Sequence, residues 1–181
     1  CLLAGTLYAV CLSACDAKEP LSENRDAEIE SPVIANDLSN QKVTAIAEDT
    51  QGHIWIGTFR GLNKNNVHDY HQYFCTDDSL GLPDNQITHL LRDSKNRFWV
   101  GTVNGVCLYT DKDNFRIIPI EADNKNVRQI LEDRNGRIFL NTGFQLYAYH
   151  PREEKITCVL PEISPGNAFY AQCHIAPDNN C

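Results

Sequence analysis

The sequence lacks the motifs by which catalytic and metal sites are most readily recognised. It contains no G-x-S-x-G, no phosphate-binding G-x-x-x-x-G-K-[ST] and no H-E-x-x-H. Its eight cysteines include no C-x-x-C pair, so neither a zinc site nor a disulfide framework is indicated. His68 and His71 form an isolated H-x-x-H, which is a weak metal signal. We therefore expect no catalytic residue, no metal and no cofactor in this chain.

Positive charge is also scarce. The chain has 16 lysines and arginines against 24 aspartates and glutamates, a formal net charge of −8. No basic cluster interrupts this acidic surface, which repels phosphate backbones, so we expect no nucleic-acid partner. Methionine is absent and residue 1 is a cysteine. We therefore expect the printed sequence to lack its translation start.

Residues 1–15 carry no charged side chain. The apolar run over residues 2–14 is shorter than the ~20 residues of a membrane span, but it suits the apolar region of a signal peptide. Residues 12–15, Leu-Ser-Ala-Cys, resemble the lipobox of bacterial lipoproteins, and that resemblance makes Cys15 the lipid-attachment residue. The alternative is an ordinary signal peptide or a signal anchor. Each reading predicts a bacterial protein that is exported, either to the periplasm or anchored on the extracytoplasmic side.

Residues 16–40 have a different composition. Acidic side chains outnumber basic ones, and Pro20 and Pro32 interrupt any helix. We predict an acidic tether that leads into the folded part of the chain.

Three later segments repeat one pattern. Residues 43–58, 87–102 and 127–142 match over sixteen positions without a gap, around a D-x-x-[GN]-x-ϕ-[WF]-ϕ-x-T core in which ϕ is apolar. A further copy begins near the end, where Ile175 and Asp178 match Ile46 and Asp49. The predicted units are a blade repeat at 41–84, a second at 85–124, a third at 125–166 and the start of a fourth at 167–181.

Each copy is typical of antiparallel sheet. A short apolar strand leads to a turn that begins with Asp, and the residue three positions later is Gly, or Asn96 in the second copy. Both residue types tolerate the left-handed backbone that such a turn requires. The next strand carries three adjacent apolar residues, which predicts burial on both faces. Cys75, Cys107 and Cys158 fall in predicted strands and are interpreted as small buried residues.

Four short strands per repeat predict an all-β fold of β-propeller blades, each a four-stranded antiparallel sheet. Propellers close with ~4–8 blades, so three copies and the start of a fourth make an incomplete propeller. We expect either that the working protein continues well beyond Cys181 or that these 181 residues are a truncated product.

Residues that recur in every copy are predicted to build the fold. The aromatic residues could instead stack on a ligand and the aspartates could form a carboxylate set, but a turn or strand-centre position in every repeat favours structure. Candidate ligand contacts must then come from residues that do not repeat, and the best are Arg60 and Asn104, in loops between the middle strands. The structural set is Asp49, Gly52, Trp55, Thr58, Asp93, Asn96, Trp99, Thr102, Asp133, Gly136, Phe139 and Thr142.

The core over residues 49–62, D-x-x-G-x-I-W-I-G-T-x-x-G-L, resembles the two-component regulator propeller repeat. The resemblance covers about residues 33–181, although Phe139, Asn141 and Gln145 depart from the pattern in the third copy. It implies the periplasmic sensor region of hybrid two-component histidine kinases of Bacteroidetes. In that family two propellers are followed by a β-sandwich, a membrane helix and a kinase, and the sensor detects oligosaccharides.

The resemblance implies a non-enzymatic extracytoplasmic sensory segment that responds to oligosaccharides, while the full-length parent is a histidine kinase. Its implied partners are the remaining blades and downstream domains of the same protein, an oligosaccharide ligand and a second copy in a homodimer of the complete receptor. Two alternatives remain: a stand-alone lipoprotein propeller that binds glycans or acts as a scaffold, and a propeller lyase or glycosidase.

Overall fold

The computed structural model describes residues 32–76, 81–110, 112–143 and 145–160. This part of the chain is all-β, as predicted, and its thirteen strands form three antiparallel sheets. The strands of sheet 1 are β1 (Val33–Ala35), β2 (Val43–Glu48), β3 (Ile54–Thr58), β4 (Gly61–Asn66) and β5 (Asp69–Tyr73). They pair in the order β1-β5-β4-β3-β2, whereas sheets 2 and 3 are four-stranded meanders. Those of sheet 2 are β6 (Ile87–Arg92), β7 (Phe98–Thr102), β8 (Gly105–Tyr109) and β9 (Phe115–Ile118). Those of sheet 3 are β10 (Gln129–Glu132), β11 (Ile138–Asn141), β12 (Leu146–His150) and β13 (Lys155–Leu160).

The strand pairing follows the sequence alignment of the repeats. Ile46 pairs with Ile56 in sheet 1, and the aligned pairs are Leu90 with Val100 in sheet 2 and Ile130 with Leu140 in sheet 3. Strand β6 contacts both β2 and β10, so β2, β6 and β10 form the inner edge of the blades. The prediction of propeller blades in an incomplete propeller is confirmed.

The hydrophobic core lies in the two seams between sheets. The seam between sheets 1 and 2 contains Trp55, Leu62, Tyr73, Leu82, Ile87, Leu90, Phe98, Val100, Cys107 and Phe115. The seam between sheets 2 and 3 contains Trp99, Val106, Leu108, Ile118, Ile120, Val127, Ile130, Ile138, Leu140, Tyr147, Tyr149 and Ile156. Phe98 and Val100 therefore face the first seam while Trp99 faces the second, since side chains alternate along a strand. Only sheet 2 is covered on both faces by described residues.

One face of sheet 1 is open in the part of the chain that the structure describes. Ile46 is 66% exposed, whereas Leu90, its equivalent in sheet 2, is 6% exposed. Ile54 is also exposed, whereas Phe98 is buried. Among the described residues, burial on both faces is therefore found for residues 98–100, whereas residues 54–56 have one face uncovered and Phe139 in the third copy is half-buried.

Strand β1 was not predicted from the sequence. Residues 33–35 pair with β5 and add a fifth strand to the outer edge of sheet 1. The following residues are held by side chains of the sheet: Gln72 Nε2 donates to the Asp37 carbonyl at 2.7 Å, and Ser39 N donates to Asn63 Oδ1 at 2.8 Å. The segment between the acidic residues and the first repeat is therefore part of the sheet.

Two of the three cysteine interpretations are wrong. Cys107 is buried in β8, but Cys75 lies beyond the end of β5 and is exposed, as is Cys158 in β13. The outer strand of a blade has one edge towards solvent, so a residue there is buried only if a neighbouring sheet reaches it.

Candidate functional site

The repeated aspartates organise the turn between the first two strands of each sheet. Asp93 Oδ1 accepts the backbone N–H groups of Lys95 and Arg97, at 3.0 and 2.8 Å. Its Oδ2 accepts Arg97 Nε at 2.6 Å and Trp99 Nε1 at 2.9 Å. The carboxylate is fully buried, and each of its two oxygens accepts two hydrogen bonds.

Asp49 has the same arrangement in sheet 1. It accepts the amides of Gln51 and His53, together with Trp55 Nε1 at 2.9 Å. Burial acts to raise the pKa of Asp49, but the hydrogen bonds from Trp55 and from the two amides outweigh burial and lower this pKa below 3.8. The carboxylate is therefore ionised at neutral pH, and its oxygens are occupied by groups of its own repeat.

Asp133 lacks one of these partners. It accepts the amides of Asn135 and Arg137 and also Arg137 Nε, at 2.9, 2.8 and 2.5 Å. Residue 139 is phenylalanine, so no indole N–H reaches the carboxylate. Trp55 and Trp99, by contrast, are fully buried in the first and second seams, and Phe139 is half-buried.

The remaining repeated residues lie at turns and strand ends. Gly52, Asn96 and Gly136 have φ values of 84°, 62° and 72°, which confirms the predicted left-handed position. Thr58 and Thr102 are buried, and the hydroxyl of each donates to the carbonyl of a glycine three residues on, at 2.8 and 3.0 Å. Thr142 is also buried and donates to the Gln145 carbonyl at 3.3 Å. These contacts all lie within one repeat.

Arg60 and Asn104 lie in the hairpins that join β3 to β4 and β7 to β8, and both are exposed. We call this edge of the sheets the hairpin face, and the edge formed by the aspartate turns the turn face. The backbone N–H groups of Arg60 and Asn104 donate to Thr58 Oγ1 and Thr102 Oγ1 at 3.1 and 3.2 Å. The two candidate residues therefore share a face, with their hairpins fixed by buried threonines.

Neither metal binding nor a membrane helix is found in the described residues. His71 Nε2 lies 3.9 Å from Asp69 Oδ1, but no described group of three His, Cys, Asp or Glu side chains could hold a metal ion. The described part of the chain also has no helix of the length and hydropathy that a membrane span needs. Cys15, the signal-like segment and the start of the fourth copy lie outside the described residues.

A polar pocket that sequence reasoning missed lies on the turn face, between sheets 1 and 2. Its volume is about 150 Å³. We call it the seam pocket, and its lining residues are Asp49, Thr50, Gln51, Lys64, Arg92, Asn96, Phe98, Tyr109 and Asp113. The signal that could have found it is Lys64, because the aligned positions in the other copies hold Leu108 and Ala148.

Three side chains of the seam pocket, Lys64, Tyr109 and Asp113, form a hydrogen-bonded cluster with Tyr73. Lys64 Nζ donates to Tyr109 OH at 3.3 Å and lies 5.3 Å from the centre of the Trp55 ring. The hydroxyls of Tyr109 and Tyr73 both donate to Asp113 Oδ1, at 2.6 and 2.7 Å. From the end of β6, Arg92 Nη1 donates to the Asp49 carbonyl across the seam at 3.1 Å.

The electrostatics of this cluster keep Asp113 ionised and its two tyrosines neutral. Burial acts to raise the pKa of Asp113, but the hydrogen bonds from Tyr109 and Tyr73 and the charge of Lys64 outweigh it, and the pKa is lowered below 3.8. Burial and the contact with Asp113 raise the pKa of both tyrosines above 10.0. The tyrosines therefore remain hydrogen-bond donors and Asp113 remains a carboxylate at neutral pH.

The chain is similar to known proteins in both sequence and structure. The model described as "Two component regulator propeller" matches residues 37–60 and 81–104. No curated protein sequence matches the chain significantly. Two structures of the extracellular domain of BT4673 from B. thetaiotaomicron, one described as a one component system and one as a hybrid two component system, are 28% and 26% identical. They match 66% and 65% of this chain with TM-scores of 0.58 and 0.57.

Other structures show the same fold. The extracellular domain of BT3049 from B. thetaiotaomicron, described as a hybrid two component system, is 24% identical over 68% of this chain, with a TM-score of 0.57. Virginiamycin B lyase from Staphylococcus aureus is 20% identical over 70% of this chain and 44% of the lyase, with a TM-score of 0.53. The chain spans only 16–17% of the length of the BT4673 and BT3049 structures. Two stretches of the chain thus match the two-component regulator propeller model, and the chain is similar to the extracellular domain of BT4673.

Proposed function

We propose that this chain is a non-enzymatic, extracytoplasmic sensory segment of a two-component signalling receptor that responds to oligosaccharides. The match of two of its repeats to the two-component regulator propeller model carries the proposal. Its similarity to the extracellular domain of BT4673, described as a hybrid two component system, supports the same receptor class. The described residues contribute three stacked sheets, and the turn and hairpin faces present the loops that can contact a ligand.

The same proposal assigns the repeated residues a structural role. The carboxylates of the aspartates accept hydrogen bonds from their own repeats, the hydroxyls of the threonines donate within theirs, and the tryptophans fill the seams. Function then rests on residues that differ between copies, which include Arg60 and Asn104 on the hairpin face. Lipid attachment at Cys15 would instead favour the alternative of a stand-alone lipoprotein propeller that binds glycans or acts as a scaffold, because a signalling receptor does not need an acyl anchor.

We further propose that other blades of the same polypeptide cover the open face of sheet 1. The positions of Ile46 and Ile54 are exposed there, whereas the same positions in sheets 2 and 3 are buried against the preceding sheet. Covering such apolar side chains is favourable by ~25 cal/mol per Å² removed from water. The partner surface needs the shape of a blade that presents residues equivalent to Trp55 and Leu62.

The receptor assignment is tested first at the gene. Sequencing the locus downstream of residue 181 should show more blades, a membrane helix and a histidine kinase. A stop codon immediately after residue 181 would contradict the proposal, and so would further blades without a membrane helix and kinase. In the complete protein, a transcriptional reporter should respond to oligosaccharides from at least one polysaccharide. A reporter that stays silent with every oligosaccharide tested removes the ligand part of the proposal.

The blade contact is tested by two matched substitutions in the complete protein. Ile46→Glu places a charge on the open face of sheet 1, whereas Ile34→Glu places one on the other face, at the outer edge in β1. The two isoleucines are equally accessible, 66% and 65% exposed. We expect Ile46→Glu to lower the melting temperature and Ile34→Glu to leave it nearly unchanged. Equal effects would contradict the docking of a blade on this face.

A further inference from the structure

We propose that the seam pocket between sheets 1 and 2 binds a single sugar residue of the oligosaccharide. This proposal rests on the proposed function and adds a binding position for the ligand. The pocket of about 150 Å³ is smaller than the ~300–1,000 Å³ of pockets that enclose whole drug-sized ligands. It therefore suits one sugar ring rather than a longer chain, which would have to extend from the turn face into solvent.

Lys64 is the first observation behind this assignment. The fold does not require a charged residue at this position, because the aligned Leu108 is buried in the second seam and the third copy has Ala148. A lysine stem can pack on apolar neighbours while its ammonium faces a polar space. Lys64 does this, with its Nζ over the adjacent rings of Trp55 and Tyr109, at 5.3 and 5.4 Å from their centres.

The second seam shows what a purely structural cation looks like. There the guanidinium of Arg97 lies over Trp99 and Tyr149, at 5.2 and 5.3 Å from the ring centres. Arg97 Nε is also paired with Asp93 Oδ2 at 2.6 Å. Lys64 forms no such ion pair with the described residues, and its one hydrogen bond to a described group is the long contact with Tyr109 OH. Its ammonium therefore keeps donors that face the pocket.

Acceptors face the same space. Both tyrosine hydroxyls donate to Oδ1 of Asp113, so Oδ2 receives no hydrogen bond from the described residues. Asp113 is held there by a turn in which its own φ is 58°, a conformation that aspartate and asparagine tolerate better than most residues. A carboxylate oxygen beside an ammonium matches a sugar hydroxyl, which both donates and accepts.

The charges of the residues that line the pocket favour a neutral polar ligand over a charged one. Two cationic side chains, Lys64 and Arg92, are offset by the carboxylates of Asp49 and Asp113. The oxygens of Asp49 are already occupied within its turn, so it holds charge without offering a free acceptor. A pocket without net charge gives little preference to an anion or a cation, whereas its closely spaced donors and acceptors suit neighbouring hydroxyls. Rings of Phe98 and Tyr109 in the wall suit the apolar face of a sugar.

The chain contains its own reporter for this site. It has two tryptophans, and Trp55 lies beneath Lys64 and bonds to Asp49, which lines the pocket. Trp99→Phe, a replacement that copies Phe139 of the third repeat, leaves Trp55 as the single tryptophan of this chain. We would titrate this variant with glucose, galactose, mannose, arabinose and xylose and follow the emission of Trp55.

The expected result is a saturable change in the emission of Trp55 with at least one of these sugars. Lys64→Leu, which copies Leu108, and Asp113→Asn, which keeps the left-handed turn, should each weaken that binding about tenfold or more, because each removes a charged hydrogen-bonding group. Lys155→Leu, an exposed lysine in β13, should leave the dissociation constant unchanged. Far-ultraviolet circular dichroism establishes that each variant retains its sheet structure.

Two results would overturn the assignment. The first is that no sugar in the panel changes the emission of Trp55, and the second is that Lys64→Leu and Asp113→Asn bind as tightly as the parent. The complete receptor separates these from a failure of the proposed function. A receptor that carries Lys64→Leu and still responds to the same oligosaccharide concentration refutes the seam pocket alone. A parent receptor that responds to no oligosaccharide refutes the broader proposal.

Discussion

Replacing Asp93 with alanine tests whether the aspartate turn stabilises the blades through its bond to tryptophan. The substitution removes the acceptor for four donors, among them Trp99 Nε1, which lies in a fully buried ring. Leaving one buried donor unsatisfied costs about 1–3 kcal/mol, and breaking a buried ion pair by removing one partner costs about 3–5 kcal/mol in total. We therefore expect Asp93→Ala to reduce the free energy of unfolding by about 3–5 kcal/mol.

The third sheet supplies the matched control. Asp133→Ala removes the same turn contacts, but no indole bonds to this carboxylate, and the Arg137 side chain is 65% exposed. Water can replace many of the hydrogen bonds that Arg137 and the turn amides lose in this variant. The expected decrease in the free energy of unfolding is about 1 kcal/mol, as for an ordinary hydrogen-bonded turn residue.

Urea unfolding followed by circular dichroism measures both decreases. A double-mutant cycle between Asp93→Ala and Trp99→Phe then isolates the coupling between carboxylate and indole, which we expect to be about 1–2 kcal/mol. Decreases for Asp93→Ala and Asp133→Ala that agree within about 0.5 kcal/mol would refute the reasoning. A coupling energy of zero would do so as well.

Three further outcomes are expected. Asn96→Ala should destabilise the protein by about 1 kcal/mol in urea unfolding, because alanine tolerates a φ of 62° poorly, and Asn96→Gly should be nearly neutral. Burial raises the pKa of the Cys107 thiol, so peptide mapping after iodoacetamide treatment at pH 8 should show Cys75 and Cys158 labelled and Cys107 labelled only in urea. The folded-state pKa of Asp113 lies below 3.8, so its contribution to stability is complete well above pH 4 and is lost as the pH falls through the folded value. Unfolding curves between pH 2 and 7 should show this loss for the parent and a smaller one for Asp113→Asn.

The sequence predicted the blades because the features that define a blade are local. The spacing between an aspartate and the glycine or asparagine three residues later sets a turn, and the apolar residues on either side set two strands. The paired positions, such as Leu90 with Val100, then follow from the turn length. Asn96 illustrates the strength of this signal, since its residue type alone indicated the left-handed backbone that the structure contains.

The same reasoning missed β1 because nothing local marks that strand. Residues 33–35 are only three in number and follow an acidic stretch, and they are a strand because β5 offers an unpaired edge. Cys75 and Cys158 were misjudged for a related reason. Cysteine as a residue type favours burial. However, a cysteine in an outer strand is buried only if a neighbouring sheet covers it, and the sequence of that strand does not show whether one does.

Some residues of the candidate sites could likewise be predicted from the sequence, and others could not. Arg60 and Asn104 could be chosen from the sequence, since they are variable positions of a repeated loop. The seam pocket could not, because Lys64 and Asp113 come from different repeats. The departure of Lys64 from the pattern of the other copies was visible beforehand, but its significance depends on the groups that surround it.

By itself the sequence determined the repeat, its turns, the strands around them and the all-β class, because each depends on residues within a few positions of one another. The tertiary structure decided which face of each sheet is covered, where the first strand pairs and which polar side chains meet across a seam. Those outcomes depend on contacts between residues tens of positions apart, such as the bond of Tyr73 to Asp113. Their formation requires the sheets to be already stacked, so no single repeat contains the information.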